Sequence, residues 1–164
     1  MTKQHFNLLI QHLTKTLGHP SLWICVSPRE SRLKFAESEQ YAALLLTRLE
    51  RKLMSPRGRR SAHSSVLPTI LLGEDKTKQG NPCLVHFHGL SWCEDVNLFA
   101  KEIQRQSNSV SSAFGFCRRV DVQCERFDPK KNGVDYISKH INENDAPIAI
   151  GPHSQLPVGI ASTS

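Results

Sequence analysis

Two histidines alternate with apolar residues in the segment CLVHFHGLSW, residues 83–92. Successive side chains of a strand point to opposite faces, so His86 and His88 would share one face, with Val85 and Phe87 on the other. Imidazole is a common metal ligand, although a bare His-x-His can also lie on a solvated face. A metal function therefore depends on what lies opposite the pair.

A second strand pattern, SVLPTILLGED (65–75), precedes the histidines, and the intervening KTKQGNP is a turn signal. A hairpin centred on Gly80 pairs residues whose numbers sum to about 160, which places Glu74 opposite His86. A slip of one residue would bring Asp75 or Gly73 there instead. The register predicts one carboxylate and two imidazoles on one sheet face, a three-ligand site for a divalent cation.

The segment VDYISKHI (134–141) has the spacing of a short amphipathic helix. Its apolar residues fall on one side, and Tyr136, Lys139 and His140 fall on the other. If the apolar side packs on the domain, these three could supply a nucleophile, a cation and a further metal ligand. The alternative is an ordinary helix with a polar face.

The remaining patterns predict the elements that must position these residues. Ser91 and Glu94 form an S-x-x-E capping box that would begin a helix through EDVNLFAKEIQRQ. The other elements are an N-terminal amphipathic helix (1–20), a strand (21–28), a long helix (31–54), a strand (114–127) and an edge strand (147–150). Without the first helix the order is β-α-β-β-α-β-α. This order predicts an α+β, ferredoxin-like (RRM-like) sandwich, with a central antiparallel sheet of four to five strands, helices on one face and the active site on the other.

Composition restricts the class of protein. The 164 residues are 22% charged and 38% hydrophobic with a net charge of +6, which indicates a globular chain and favours polyanionic partners. No apolar run approaches the ~20 residues of a membrane span, and no signal peptide is recognisable. Five cysteines without a CxxC pair favour a reducing, cytoplasmic location. We expect a domain at 21–150, preceded by the helix at 1–20 and followed by a loose tail at 151–164.

The two motifs together resemble the HUH endonucleases, specifically the rolling-circle replication initiators. The family signature of His-hydrophobe-His followed by Tyr-x-x-Lys matches His86-Phe87-His88 and Tyr136-Ile137-Ser138-Lys139. The resemblance covers residues 20–142 and implies a metal site completed by an upstream glutamate, here Glu74, with His140 as the rival third ligand. Small single-strand transposases of the same type keep this motif order but follow the tyrosine with a glutamine where this chain has His140.

The resemblance implies a metal-dependent, site-specific endonuclease that nicks single-stranded or hairpin origin DNA and thereby initiates rolling-circle replication. Mn²⁺ or Mg²⁺ would be the cofactor, Tyr136 the nucleophile that forms a 5′-phosphotyrosine, and Lys139 its charge partner. A plasmid or phage in a bacterial or archaeal host would carry such a protein. A separate host helicase would unwind the DNA, because no helicase domain follows.

Basic residues outside these motifs are candidates for DNA contacts. Two of them, Arg118 and Arg119, are expected on the sheet. The full set is Arg57, Arg59, Arg60, Arg118, Arg119, Lys130 and Lys131. The rival class is a non-catalytic RRM-like module that binds nucleic acid, which would ignore metal. A third possibility is a domesticated relative that binds hairpin DNA without turnover.

Overall fold

The computed structural model describes residues 3–54, 68–76, 80–116, 119–131 and 147–151. These residues form three α-helices, one short 3₁₀-helix and five β-strands, and none of these helices is long and apolar enough to cross a membrane. In chain order the elements are α1 (Lys3–Leu17), β1 (Leu22–Ser27), the 3₁₀-helix Phe35–Glu37, α2 (Ser38–Leu53), β2 (Thr69–Lys76), β3 (Pro82–Ser91), α3 (Val96–Ala113), β4 (Asp121–Arg126) and β5 (Ile148–Ile150).

The five strands form one antiparallel sheet in the order β4-β1-β3-β2-β5. Helix α2 connects β1 to β2, and α3 connects β3 to β4, so both connections cross from an inner strand to a strand on the other side. This is the order of a ferredoxin-like sandwich extended by one edge strand. The predicted α+β fold with four to five strands is confirmed, including the edge strand near Pro147.

Side-chain alternation gives the sheet two apolar faces of different extent. On the first face, residues such as Ile24, Leu71 and Phe87 pack under α2 and α3 to form the larger core. The helices contribute the buried positions Leu45, Leu49, Phe99 and Ile103, which recur at helical spacing. Because α2 and α3 cover this face, a functional site on the sheet must lie on the opposite one.

Helix α1 lies on that opposite face and covers one end of it. The C-terminal end of this helix is held by the indole of Trp92, whose Nε1 donates a hydrogen bond of 2.9 Å to the Gly18 carbonyl. The second core consists of Phe6, Leu9, Ile10 and Leu13 of the helix with Ile70, Leu72, Leu90 and Trp92 of the sheet. The prediction of helices on one face therefore holds for α2 and α3, while α1 shares its face with Glu74 and the two histidines.

The α2 helix begins at Ser38, later than the predicted start at residue 31. The Glu30 carboxylate accepts hydrogen bonds from both the backbone N–H and the guanidinium of Arg32, which holds a turn here. Arg29 also has a φ of 52°, outside the helical region. Side-chain bonds to the backbone compete with helix formation, and the 3₁₀ turn Phe35–Glu37 then leads into α2.

The capping box predicted at Ser91 and Glu94 was wrong. Ser91 ends β3, and its hydroxyl is engaged by the Thr69 hydroxyl at 2.9 Å and the Cys93 backbone N–H at 3.2 Å. Asp95 is the actual N-cap of α3, since its Oδ1 accepts the Leu98 N–H at 2.9 Å. Both candidate caps lie within one helical turn, so the sequence alone did not separate them.

The strand predicted at 114–127 is shorter than expected, because a turn occupies residues 114–115 and β4 covers only Asp121–Arg126. Helix α3 is longer than predicted and continues to Ala113. The serine-rich end of α3 packs closely on α2, where the Ser111 hydroxyl lies 2.7 Å from the Tyr41 hydroxyl. Gly115, with a φ of 74°, follows the helix end in the left-handed conformation that glycine tolerates. Burial of small serines thus overrides their weak helix propensity.

Candidate metal centre

The β2–β3 hairpin brings the predicted metal ligands together. Glu74 pairs with His86 and Leu72 pairs with His88, so the numbers of paired residues sum to 160 as the sequence predicted. Alternation then places all three ligand side chains on the face that carries α1. The register shifts only beyond Glu74, at an irregularity between Glu74 and Lys76.

The three side chains converge at short distances. Glu74 Oε2 lies 3.4 Å from His86 Nε2 and 3.7 Å from His88 Nε2. The two imidazole rings meet edge-on, with centroids 5.0 Å apart. One ligand atom from each residue lies within 4.8 Å of the others, so this group could hold a metal ion. No other group of this kind occurs in the described part of the chain.

Backbone contact orients the imidazole of His86. Its Nδ1 lies 3.1 Å from the Leu84 carbonyl oxygen, which can only accept, so Nδ1 carries the proton and Nε2 points to Glu74. Metal-binding histidines commonly use this arrangement to fix the ring and present one nitrogen. The Glu74 hydrogen bond raises the pKa of His86, and burial opposes that rise. A proton on Nε2 thus competes for the position that a cation would take.

Glu74 is nearly inaccessible, with 6% of its surface exposed, although it carries an ionisable group. A carboxylate in such a place is costly without compensating charge, and the two imidazoles or a cation supply it. The side chains of His86 and His88 remain 22% and 13% exposed, so the group can be reached from one side.

Strand β1 contributes neighbours that the sequence did not reveal. The Trp23 ring packs against His88, with centroids 5.4 Å apart, and Cys25 pairs with His88 across the strands. Burial raises the pKa of the Cys25 thiol, and the Glu74 carboxylate adds to the rise. The thiol is therefore protonated at neutral pH and does not join the donor set as a thiolate. The sequence places Trp23 and Cys25 on one face of β1, but only the strand order and register show that they adjoin His88.

The predicted DNA-binding residues within the described ranges lie at opposite ends of the sheet, Arg119 at one end and Lys130 with Lys131 at the other. Arg119 is exposed and precedes β4, at the sheet end that carries Glu74, so the expectation that it lies on a strand was wrong. The reason is that α3 ends at Ala113 in a turn through Gly115, and β4 begins only at Asp121. Lys130 and Lys131 are exposed in the turn after β4, at the other end of the sheet.

The remaining predicted site residues lie outside the described residues. These are the proposed nucleophile and its partners, together with four arginines: Tyr136, Lys139, His140, Arg57, Arg59, Arg60 and Arg118. The structure therefore brings together Glu74, His86 and His88 (the metal group), and the roles of Tyr136 and Lys139 stay sequence predictions.

No protein-family model, curated protein or solved structure matches this chain. Fold and site together define an α+β sheet protein with a three-residue group that could hold a metal ion.

Proposed function

We propose that this protein is a metal-dependent endonuclease that nicks single-stranded origin DNA through a tyrosine, and so initiates rolling-circle replication. The observation that carries the proposal is the convergence of Glu74, His86 and His88 on the open end of one sheet face. The sequence motif alone could not distinguish a metal group from two histidines on a solvated face. The observed distances between ligand atoms favour the metal group.

The donor set fits Mn²⁺ better than Mg²⁺. One carboxylate oxygen and two imidazole nitrogens are available, and Mg²⁺ prefers oxygen ligands whereas imidazole suits Mn²⁺ and related metals. A divalent cation bound there would polarise a phosphodiester and orient it for attack. The chain itself contributes the buried carboxylate of Glu74, which holds the two imidazoles in position.

Tyr136 is the proposed nucleophile, and the other tyrosine is unsuited to that role. Tyr41 is 0% exposed in the larger core, and burial raises its pKa to about 12. Its hydroxyl is engaged by Ser111 at 2.7 Å. A buried phenol cannot reach a DNA strand, and a raised pKa disfavours the phenolate that attacks phosphorus. Because the chain has two tyrosines, Tyr136 is left.

Chain connectivity supports the same assignment. The Pro147 carbonyl accepts a hydrogen bond of 3.0 Å from the backbone N–H of Gly73, the residue before Glu74. The chain therefore passes next to the metal group eleven residues after Tyr136. Eleven residues reach about 40 Å at full extension, more than enough to bring Tyr136 to Glu74.

The proposed reaction is a transesterification. The Tyr136 oxygen forms a bond to phosphorus, the bond to the 3′ oxygen breaks, and that oxygen takes up a proton. The products are a 5′-phosphotyrosine and a free 3′-OH that can prime synthesis. The ammonium group of Lys139 would stabilise the phenolate and the charge that develops on phosphate. Because one phosphodiester replaces another, a later 3′-OH can reverse the step and rejoin strands.

A non-catalytic nucleic-acid-binding module is the second candidate, because Trp23 is partly exposed on the open sheet face. RNA-recognition domains stack bases on aromatic side chains at this face. Such a module has no use for the Glu74 carboxylate beside two imidazoles. Metal dependence therefore separates the two candidates.

The test uses single-stranded oligonucleotides that tile the DNA around the gene, with Mn²⁺ or with EDTA. We expect a protein–DNA adduct that survives SDS on a denaturing gel, requires Mn²⁺ and is absent in Tyr136→Phe. Tyr41→Phe is the matched control and should form the adduct as the wild type does. Mn²⁺-independent DNA binding without any adduct would instead support the binding module.

A further inference from the structure

A cleft of about 450 Å³ lies between α1 and the chain segments that flank β1 and β4. Asn7, Gln11 and Lys15 line it from successive turns of α1, and His19 and Phe127 also line it. It belongs to neither the metal group nor the larger core. Its volume is at the small end of the range of ligand pockets and fits one planar group.

Aromatic side chains form one wall of the cleft. The rings of His19 and Phe127 are nearly parallel, at 20°, with centroids 6.3 Å apart. The Phe127 N–H donates to the Ser21 carbonyl at 3.0 Å, and its side chain packs against the second core. An aromatic ring anchored in this way can serve as a stacking platform for a nucleobase, and such stacking tolerates any base.

Amide groups on α1 provide the other wall. Asn7 Oδ1 is buried, and none of the described residues donates a hydrogen bond to it. Buried acceptors rarely stay unsatisfied, and a change of the Asn7 side-chain torsions would present its amide to the cleft that this residue lines. An asparagine amide can accept from the N6 amino group of adenine while it donates to N7. Thymine has no such amino group.

The charge at the cleft favours a base that is part of a nucleic acid strand. Lys15 lines the cleft, no carboxylate does so among the described residues, and Lys130 and Lys131 are exposed a few residues after Phe127. Positive side chains beside an aromatic platform are the usual combination for single-strand binding. The base would stack and its phosphates would face the lysines.

The cleft and the metal group lie on the same side of the sheet, at opposite ends. Phe127 follows Arg126, which pairs with Leu22, and Leu22 pairs with Ser91, five residues after His86. At ~3.3 Å per residue and ~4.8 Å between strands, the two sites are about 20 Å apart. Trp23 of β1 lies between them and is partly exposed.

We propose that the cleft between α1 and Phe127 binds one unstacked adenine of the single strand whose phosphate lies at the metal group. This proposal rests on the proposed function, because that function identifies the bound strand as the single-stranded DNA to be nicked. Helix α1 would then recognise one base at a fixed distance from the nick.

The test measures binding in EDTA, so that it is independent of cleavage. Fluorescence anisotropy compares a short labelled oligothymidylate with the same strand carrying one central adenine. We expect the wild type to bind the adenine-containing strand about ten-fold more tightly. Asn7→Ala should abolish this preference, and Phe127→Ala should weaken binding of that strand about ten-fold. Phe127→Leu keeps the apolar volume if the alanine variant does not fold.

Matched controls locate the effect. Arg119→Ala should weaken both strands equally, because Arg119 lies at the sheet end of the metal group, away from the cleft, and Leu8→Ala on the exposed side of α1 should change neither. Equal affinity for the two strands, or a preference that survives Asn7→Ala, would overturn the proposal. Adenosine monophosphate that displaces the strand at the strand's own affinity would also overturn it, in favour of a free-nucleotide site.

The two proposals fail in distinguishable ways. An adduct in the cleavage assay without any adenine preference would reject the cleft and keep the nuclease. An adenine preference that depends on Asn7, without an adduct under any condition, would reject the nuclease and keep the cleft as part of a single-strand-binding module.

Discussion

Glu74 and His86 are directly paired across β2 and β3, and the carboxylate of the first lies 3.4 Å from the imidazole of the second. This pairing fixes the metal group by backbone hydrogen bonds rather than by a flexible loop. A site held by strands needs little rearrangement to bind a cation.

Removal of either paired side chain should reduce Mn²⁺ binding. We expect Glu74→Gln, which keeps the shape but loses the charge, and His86→Ala each to lower the Mn²⁺ affinity at least about ten-fold by titration calorimetry. Asp75→Asn, which removes the adjacent carboxylate outside the group, is the control and should change the affinity far less, because Asp75 acts on His86 only through its charge. Unchanged Mn²⁺ affinity in both ligand variants would contradict the assignment.

The fluorescence of Trp23 should detect bound Mn²⁺ directly. Its ring lies against His88, with centroids 5.4 Å apart, so paramagnetic Mn²⁺ in the group should quench its fluorescence. The other tryptophan, Trp92, is buried at the α1 end and bonded to Gly18. Trp23→Phe should therefore lose most of the quenching. Equal quenching in wild type and variant would place the bound Mn²⁺ elsewhere.

The two tyrosines should behave in opposite ways. Tyr136→Phe should abolish the covalent adduct and leave single-strand affinity nearly unchanged. Tyr41→Phe should retain the adduct but lose about 1–2 kcal/mol of unfolding free energy, because Ser111 is left buried without its partner hydroxyl. Denaturing gels and urea unfolding give the two readings. An active Tyr136→Phe protein would refute the assignment of the nucleophile.

Stability at high pH should depend on Tyr41. Burial raises its pKa from 10.0 to about 12, so the folded protein retains a proton that the unfolded chain loses in this range. The resulting stabilisation is complete below pH 10 and is lost as the pH rises through about 12. Urea unfolding should show a decline of about 3 kcal/mol that Tyr41→Phe does not share. Parallel pH curves for the two proteins would argue against it.

Gly89 should be the least replaceable glycine of the β2–β3 hairpin. A β-carbon there would collide with the Ile70 carbonyl oxygen and lie 2.6 Å from Leu71 Cδ2. We expect Gly89→Ala to cost about 2 kcal/mol of stability and to weaken Mn²⁺ binding by shifting the strands beside His88. At Gly73 a β-carbon would meet side-chain atoms alone, Pro147 and Ser38 at 3.1 Å and Phe87 at 3.4 Å, so Gly73→Ala should cost less. The reverse order in urea unfolding would refute this.

The metal group could be predicted from sequence because it depends on one local hairpin. Two strand patterns, a turn glycine and a period of two were sufficient to pair Glu74 with His86. The same reasoning predicted α1 as an amphipathic helix, and its buried face is formed by Phe6, Leu9, Ile10 and Leu13.

The sequence did not show which residues of distant elements become neighbours in the folded protein. The predicted ferredoxin-like order implies that β1 lies beside β3 but not their register, so the contact of Trp23 with His88 was missed. The apolar face of α1 was evident, but either face of the sheet could have received it. The end of α3 was misjudged because Ser107 and Ser111, polar by type, are buried against α2.

Because α1 covers one end of the sheet, the two ends of β3 differ in how deeply they are buried. Near Leu90 the strand is covered by helices on both faces, whereas Leu84 at its other end is 47% exposed. Amide hydrogens should therefore exchange slowly near Leu90 and progressively faster toward Leu84, with His86 and His88 at the transition. Local opening at the metal end can thus occur while the α1 end holds the register. We therefore expect the ligand-bearing end of the sheet to open at a lower free energy than the end that α1 covers.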